Sequence, residues 1–571
     1  MLNRYSLAVC AALGLVAGSQ VQAATPESGA DAVVREFVYE SLVLSPVSAT
    51  SAGYHVHNGV RLDQQWDDFS ATGIMQQRKF NRRLTHRLDA LKDAKLDAER
   101  LADLDIVRDN VGLNLLELER LQSYRHNPTV YVELIGNGLY NPFVLHYAAA
   151  EVRFQDIIGR LKGLPALVAQ AKANLVDSPE VWNRVAQEEN DGNIELVDKT
   201  LRAETPVALQ ADYAAAAGPA LQALRDLNDY LKNTLSQKTS DWRLGKDNYA
   251  SKCALVLDTG RTPEQILKDA EADLQATRAE MVRVAAPRSV EEALAAVASH
   301  HATPDTYMAE AQKTLTQATD FVRQKDLLTL PKGDNLKVVE TPPFMRGIYA
   351  VAGFNAAPAL EPQLGAFYWV TPIPKDWPQD RIDSKLREYN SYTMQQLTIH
   401  EAMPGHYVQL EYANRLQPLA RRVLREFWGN GAYIEGWAVY TQEMVTDEGY
   451  LNNDPAMRLA WLKQLLRAES NTILDVRLQT MGMTDQQALD LMMKDTYQEK
   501  EEATAKLQRA QLSSCQLDFY YSGWKAWKAI RARYQQLHPK DYSLRKFHES
   551  ALNESAVPLT VLDRLLNGPA P

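Results

Sequence analysis

His400-Glu401-Ala402-Met403-Pro404-Gly405-His406 is the stretch on which the reading of this chain turns. It opens like the zinc-protease pattern H-E-x-x-H. In that pattern two histidines four residues apart share a helix face and bind one metal, and the glutamate activates water. Here two extra residues, Pro404 and Gly405, stand before the second histidine. On an unbroken helix four steps rotate a side chain by about 40° and six steps by about 240°, so His406 would face away from His400. Proline removes a backbone donor and clashes with the preceding turn, and glycine reaches backbone angles closed to other residues. The pair is therefore expected to loop out and return His406 to the side of His400.

A catalytic zinc site takes three protein ligands and keeps one position open. Glu435, in Tyr433-Ile434-Glu435-Gly436-Trp437-Ala438-Val439-Tyr440, is the candidate third ligand. It lies 29 residues beyond His406, room for a helix, a turn and the start of a second helix. Glu443 shares roughly the same helix face and is either an alternative ligand or an acceptor that orients a histidine. The best strand signal is Gly365-Ala366-Phe367-Tyr368-Trp369-Val370-Thr371, aromatic and β-branched. Exposed at a sheet edge it would pair with an extended peptide through Gly365, Ala366, Phe367 and Tyr368; an ordinary buried strand fits the same letters. In Phe519-Tyr520-Tyr521-Ser522-Gly523-Trp524 a tyrosine hydroxyl is suited to donate to an oxyanion, although paired tyrosines also serve as packing. No G-x-S-x-G elbow, phosphate-binding glycine loop or dinucleotide fingerprint offers a rival chemistry. His55-Val56-His57 reads as structural and His300-His301 as an exposed helix end.

The remaining sequence bounds the class. Ala, Leu, Gln, Glu, Lys and Arg fill long segments, so a large, mostly α multi-helix body is expected, with the small β element near 365–371 lining an active-site cleft. Thr262-Pro263-Glu264-Gln265 reads as a capping box with proline at the first helical position. Arg381 to Ile399 reads as helix leading into His400, and Lys337 to Glu340 as a further strand. A weak composition break at 247–262 divides two helical lobes of one domain spanning 24–571.

The chain has 571 residues. Arg4, the apolar run Leu7–Gly18 and Val21-Gln22-Ala23 form a secretory signal pattern with cleavage after Ala23. The apolar run is too short for a membrane anchor, and Val9 argues against lipid attachment at Cys10. A periplasmic or secreted protein follows, with no stable membrane anchor after cleavage. With 62 Lys+Arg against 72 Asp+Glu, the net charge is −10, which argues against nucleic acid as a partner. Arg78, Lys79, Arg82, Arg83 and Arg87 fit one solvated helix face. Cys253 and Cys515 are the cysteines left after processing, and sequence leaves their pairing open.

The motif His400 to Gln409 resembles the H-E-A-x-P-G-H-x-x-Q signature of the bacterial "domain of unknown function 885" family. Glu435-Gly436-Trp437-Ala438-x-Tyr440 resembles its second signature and Gly365-Ala366-Phe367-Tyr368 its G-x-F-Y strand. Gln516 to Gly523 is similar to its C-terminal Q-x-x-x-Y-x-x-G element, which aligns Tyr520 rather than Tyr521. Arg243 to Tyr249 and Pro46 to Gly53 also resemble family positions. The resemblance implies a helical protein related to zinc metallopeptidases of the gluzincin type. His400, His406 and Glu435 would hold one Zn²⁺ per chain, and Glu401 would be the general base. Tyr407 stands where many members carry a second histidine. The expected activity is hydrolysis of short peptides. The alternatives are a zinc-dependent amidase acting on cell-wall fragments or other non-peptide amides, and a non-catalytic binding protein that retains the site.

Overall fold

The computed structural model describes residues 29–331, 336–341, 346 and 351–569, so the signal pattern lies outside the described residues. Helices carry most of the described chain, as its helix-favouring composition requires. One large apolar core joins residues 30–111 to segments between Tyr249 and Leu562. A second core packs the helices between Tyr131 and Leu235 together and onto Trp369. The composition break at 247–262 lies within the first core, where the helix Gly245–Leu257 buries Tyr249, Cys253 and Leu257. Cys253 is disulfide-bonded to Cys515. Among the described residues, no helix is long and apolar enough to cross a membrane.

Local signals act as their chemistry directs. Thr262 and Gln265 cap each other's backbone, with Pro263 in the first turn. Arg82 pairs with Glu119 and Arg83 with Glu36, both at 2.8 Å, on a solvated helix face. The Arg381–Ile399 run departs from expectation and makes two helices, Gln379–Glu388 and α1 (Ser391–Glu401). Asn390 is the cause. Its side-chain oxygen accepts from the N–H groups of Tyr392 and Thr393 at 3.1 Å each, which restarts the helix there.

Five more helices complete the frame of the site: α2 (His406–Ala413), α3 (Gly431–Asp447), α4 (Pro455–Thr480), α5 (Lys500–Leu512) and α6 (Phe519–Leu537). A three-stranded sheet stands beside them, formed by β1 (Leu336–Glu340), β2 (Ala352–Asn355) and β3 (Ala366–Val370). The strand expected at an edge is β3, and it is central. It runs parallel to β1, with Ala366 opposite Leu336, and antiparallel to β2, with Tyr368 opposite Phe354. Phe367 and Tyr368 are paired on both sides, Ala366 is paired on the β1 side and Gly365 precedes the strand, so the strand as a whole is not an open edge for strand addition. Ala366 and Tyr368 are buried, and the Tyr368 hydroxyl lies 3.2 Å from Thr398 Oγ1 on α1. These residues seat the sheet on the helix that carries His400.

Helices α3 and α6 cross with their backbones in contact. A Cβ added to Gly436 would stand 2.4 Å from the Gly523 carbonyl carbon, and one added to Gly523 would stand 2.0 Å from the Ala432 oxygen. Gly436→Ala should therefore force the helices apart and cost about 1–3 kcal/mol or more, the range for overpacking a tight contact. Gly192→Ala is the control. Its Cβ would meet nothing within 4 Å, at an exposed helical position. That change should stabilise by about 0.5–1 kcal/mol. Denaturant titrations of the two variants check the opposite signs.

Candidate metal centre

The break in the motif is sharper than a looped-out pair. Helix α1 ends at Glu401, Ala402 leaves helical geometry, and α2 begins at His406. Gly405 has an ordinary negative φ of −70°, so a left-handed backbone is not what requires glycine here. Close approach is the reason. Its N–H donates to Ile399 O at 3.0 Å, and a Cβ would stand 1.8 Å from His400 O. The turn is held from α3 by Trp437, whose indole N–H donates to Pro404 O at 2.9 Å. His400 on one helix end and His406 on the next thus meet, with ring centroids 4.8 Å apart and planes nearly perpendicular.

Glu435 reaches them from α3. Its path includes one more helix than expected, Leu419–Phe427, before Asn430 caps α3 by accepting from Tyr433 N–H at 2.9 Å. Glu435 Oε2 lies 3.4 Å from His400 Nε2 and 3.5 Å from His406 Nε2. Despite this proximity, that oxygen is buried without a hydrogen bond of acceptable geometry. The three ligand atoms all lie within 4.8 Å of one another. Tetrahedral ligands at about 2.0–2.2 Å from zinc stand roughly 3.3–3.5 Å apart, and the two Glu435–histidine separations match that spacing. Burial pushes the Glu435 carboxyl up, but the hydrogen-bonding reach and charge of His400 and His406 outweigh it and hold the group well below the usual carboxylate range. Burial likewise disfavours the His406 imidazolium, and Glu435 outweighs that effect and raises its pKa. An ionised buried carboxylate between two imidazoles is a donor set suited to zinc.

The groups around the trio differ in part from expectation. Glu443 serves neither as ligand nor as histidine orienter. It accepts from Trp524 Nε1 and Lys528 Nζ, both at 2.8 Å, and so ties α3 to α6. Eight residues carry it far enough round the helix to leave the face of Glu435. Its neighbour Gln442 faces His400 instead. Gln442 Nε2 donates to Gln396 O at 3.0 Å, which leaves Oε1 facing His400 Nδ1 at 3.4 Å. An Nδ1–H donated to that oxygen frees Nε2 as the ligand atom. Around His406, Nδ1 and both amide atoms of Gln409 are buried without a hydrogen-bond partner. Gln409 stood in the sequence motif without a role, and an amide beside an acidic residue gave no signal for Gln442.

Glu401 stays outside the trio. Its Oε2 accepts from the Phe354 backbone N–H at 3.0 Å, which puts strand β2, not β3, beside the site. Tyr520 on α6 stacks its ring against His400 at 6.2 Å between centroids. Its oxygen accepts from Arg509 Nη2 at 3.1 Å and Gln516 Nε2 at 3.4 Å, leaving its own hydrogen to donate elsewhere. Burial and the charge of Glu435 push its pKa up, so the hydroxyl keeps its proton. Tyr521 points away and donates to Asp273 at 2.7 Å.

Residues 46–566 match the family described as "Bacterial protein of unknown function (DUF885)", and the chain belongs to that family. Its fold is similar to that of a candidate lipoprotein of unknown function from Shewanella oneidensis. That likeness has 28% identity and a TM-score of 0.80, covering 94% of this chain and 99% of the other. A candidate lipoprotein from Colwellia psychrerythraea shares the fold at 18% identity and a TM-score of 0.76, covering 95% of this chain and 99% of that one. Among curated proteins, none matches the chain.

The geometry leads to a stoichiometric expectation. Protein purified without chelator and loaded with zinc should hold about one ion per chain, as a three-ligand site does, and His406→Ala should lose most of it. Gly405→Ala should also lose zinc, because its Cβ cannot fit against His400 O. Elemental analysis after gel filtration reads all three proteins; zinc retained in full by both variants would contradict the site.

Proposed function

We propose that this protein is a zinc-dependent peptidase working outside the cytoplasm. The observation that carries the reading is the buried Glu435 oxygen that makes no hydrogen bond although two imidazole nitrogens face it at 3.4 and 3.5 Å. His400, His406 and Glu435 would hold the ion, and bound zinc supplies a Lewis acid that polarises a carbonyl and makes water more acidic.

The chain's own groups fit the remaining tasks. Glu401 follows a ligand histidine directly and is not itself part of the trio, so it is free to act as a base. The Phe354 N–H fixes one of its oxygens and leaves the other to take a proton from the attacking water. As the water oxygen bonds to the carbonyl carbon and the C–N bond breaks, Glu401 returns that proton to the leaving nitrogen. The Tyr520 O–H, with Arg509 and Gln516 already donating to its oxygen, is aligned to donate to the developing oxyanion. The retained base favours hydrolysis over simple binding, because a purely structural metal site does not need it. A location outside the cytoplasm is supported by the candidate lipoprotein from Shewanella oneidensis and by the Cys253–Cys515 pair, since disulfides persist in oxidising compartments.

Digestion of a mixed peptide library by zinc-loaded and chelated protein, with the products sequenced, tests the reading. Metal-dependent cleavage supports it, and cleavage of non-peptide amides alone would move it to the amidase alternative. Glu401→Gln should keep zinc and lose roughly 10²–10⁴-fold in turnover. Tyr520→Phe should lower kcat by roughly 10–10³-fold with KM and zinc content little changed. Tyr521→Phe should be mild, because its hydroxyl is already committed to Asp273. Normal turnover by the Glu401→Gln protein would end this mechanism.

A further inference from the structure

Helix α5 brings two cations to the edge of the metal centre. Lys506 and Arg509 are three residues apart and share a helix face. Arg509 is exposed, and its Nη2 reaches Gln516 Oε1 at 2.9 Å and Tyr520 at 3.1 Å. Lys506 is only 5% exposed. Such a burial normally demands a partner, because an unpaired ammonium in a protein interior is costly.

The obvious partner is already taken. Glu502 stands one turn earlier on α5, at the spacing where a carboxylate meets a lysine. Its Oε1 is paired with Arg467 from α4, and its Oε2 accepts the Tyr389 hydroxyl at 2.8 Å. Glu388, the next carboxylate in this region, accepts from Lys463 at 2.8 Å and from the Glu499 N–H at 3.3 Å. Among the described residues, Lys506 has no hydrogen bond and no carboxylate within 4.0 Å. The opposing charges it does feel are those of Glu502 and Glu435, against the like charges of Arg467 and Arg509. A cation bound at Glu435 would offset that carboxylate and leave the corner with still more positive charge.

We propose that Lys506, with Arg509 at the rim, receives a carboxylate of the substrate beside the metal centre, above all the terminal carboxylate of a peptide. The identity of the substrate rests on the peptidase reading; the anion site rests on the unpaired lysine. Burial and the neighbouring cations push the Lys506 pKa well down, so the empty site disfavours the ammonium and an arriving carboxylate would restore it. Arg509 couples the two places, because the guanidinium that would meet the carboxylate also holds the Tyr520 oxygen. A peptide anchored there would have its last bonds near the metal, which makes removal of C-terminal residues the expected mode of cleavage.

The test compares one peptide pool in two forms, with free and with amidated C-termini, on zinc-loaded full-length protein. Wild type should cleave the free-acid pool roughly 10–100-fold faster than the amide pool, the factor a charge-assisted hydrogen bond provides. Lys506→Met should lose that preference and fall to the amide rate. Equal rates in wild type, or a preference that survives Lys506→Met, would overturn the proposal and leave the peptidase reading standing. Amidated pools rich in Asp and Glu form a third arm; a Lys506-dependent preference for them would keep the site and assign it a side-chain carboxylate.

If neither pool is cleaved, the peptidase reading fails and binding still decides the anion site. N-acetylated tripeptides should raise the melting temperature of wild type as free acids and not as amides, and should not do so for Lys506→Met. No difference between acid and amide overturns the site. The unliganded Lys506→Met and Lys506→Gln proteins give an internal check. A lysine that waits for a ligand destabilises the empty protein, so Tm should hold or rise on its removal. A large fall in both variants would make Lys506 a structural residue and overturn the proposal.

Discussion

The contact between Gly436 on α3 and Gly523 on α6 is the constraint that the site depends on. Two helices meet at backbone distance only where neither carries a side chain, and here a Cβ on either would overlap the other helix. The residue before Gly436 is Glu435 and the residue after it is Trp437. The three successive positions supply a candidate metal ligand, a helix contact and the clamp on the Pro404–Gly405 turn. Three residues before Gly523, Tyr520 is brought onto the face of His400. One crossing therefore sets the position of Glu435 against the histidines and of the Tyr520 hydroxyl against both.

That assembly concentrates unsatisfied groups in one place. Glu435 Oε2, His406 Nδ1 and both Gln409 amide atoms are buried without hydrogen bonds. Most buried polar atoms in native proteins find partners, and clusters of exceptions mark places where stability yields to function. A cation would use the Glu435 oxygen and fix the histidine tautomers, with Gln442 and Gln409 as acceptors for the opposite ring nitrogens. Lys506, a largely buried lysine with no carboxylate within 4.0 Å among the described residues, stands beside these groups on the positive side. A lysine that lacks an anion next to a carboxylate that lacks a cation has the charge pattern of a substrate bound through both its carbonyl and its carboxylate.

Much of this was legible in the sequence. The helical class followed from composition, and the capping chemistry at Thr262 from letters alone. That His400, His406 and Glu435 would meet was legible because histidine and glutamate are informative residues and the Pro-Gly break explained a spacing that a regular helix forbids. The reason for Gly405 was not legible, since close approach to His400 O depends on a turn only tertiary clamping defines. The place of β3 in its sheet was hidden for a related reason, because aromatic and β-branched letters report burial and pleat and say nothing of neighbours on either side. Glu443 was considered because charge draws attention, while Gln442, one residue away and on the face that meets His400, carried no such signal. Lys506 looked like any helical lysine until the carboxylate one turn away proved to be occupied.

The central claim is that His400, His406 and Glu435 bind one catalytic zinc. Anomalous diffraction at the zinc edge from crystals of the zinc-loaded protein tests it most directly. The account expects a single strong peak about 2.0–2.2 Å from His400 Nε2, His406 Nε2 and a Glu435 oxygen. A peak elsewhere, or no peak in protein shown to be folded, would contradict it.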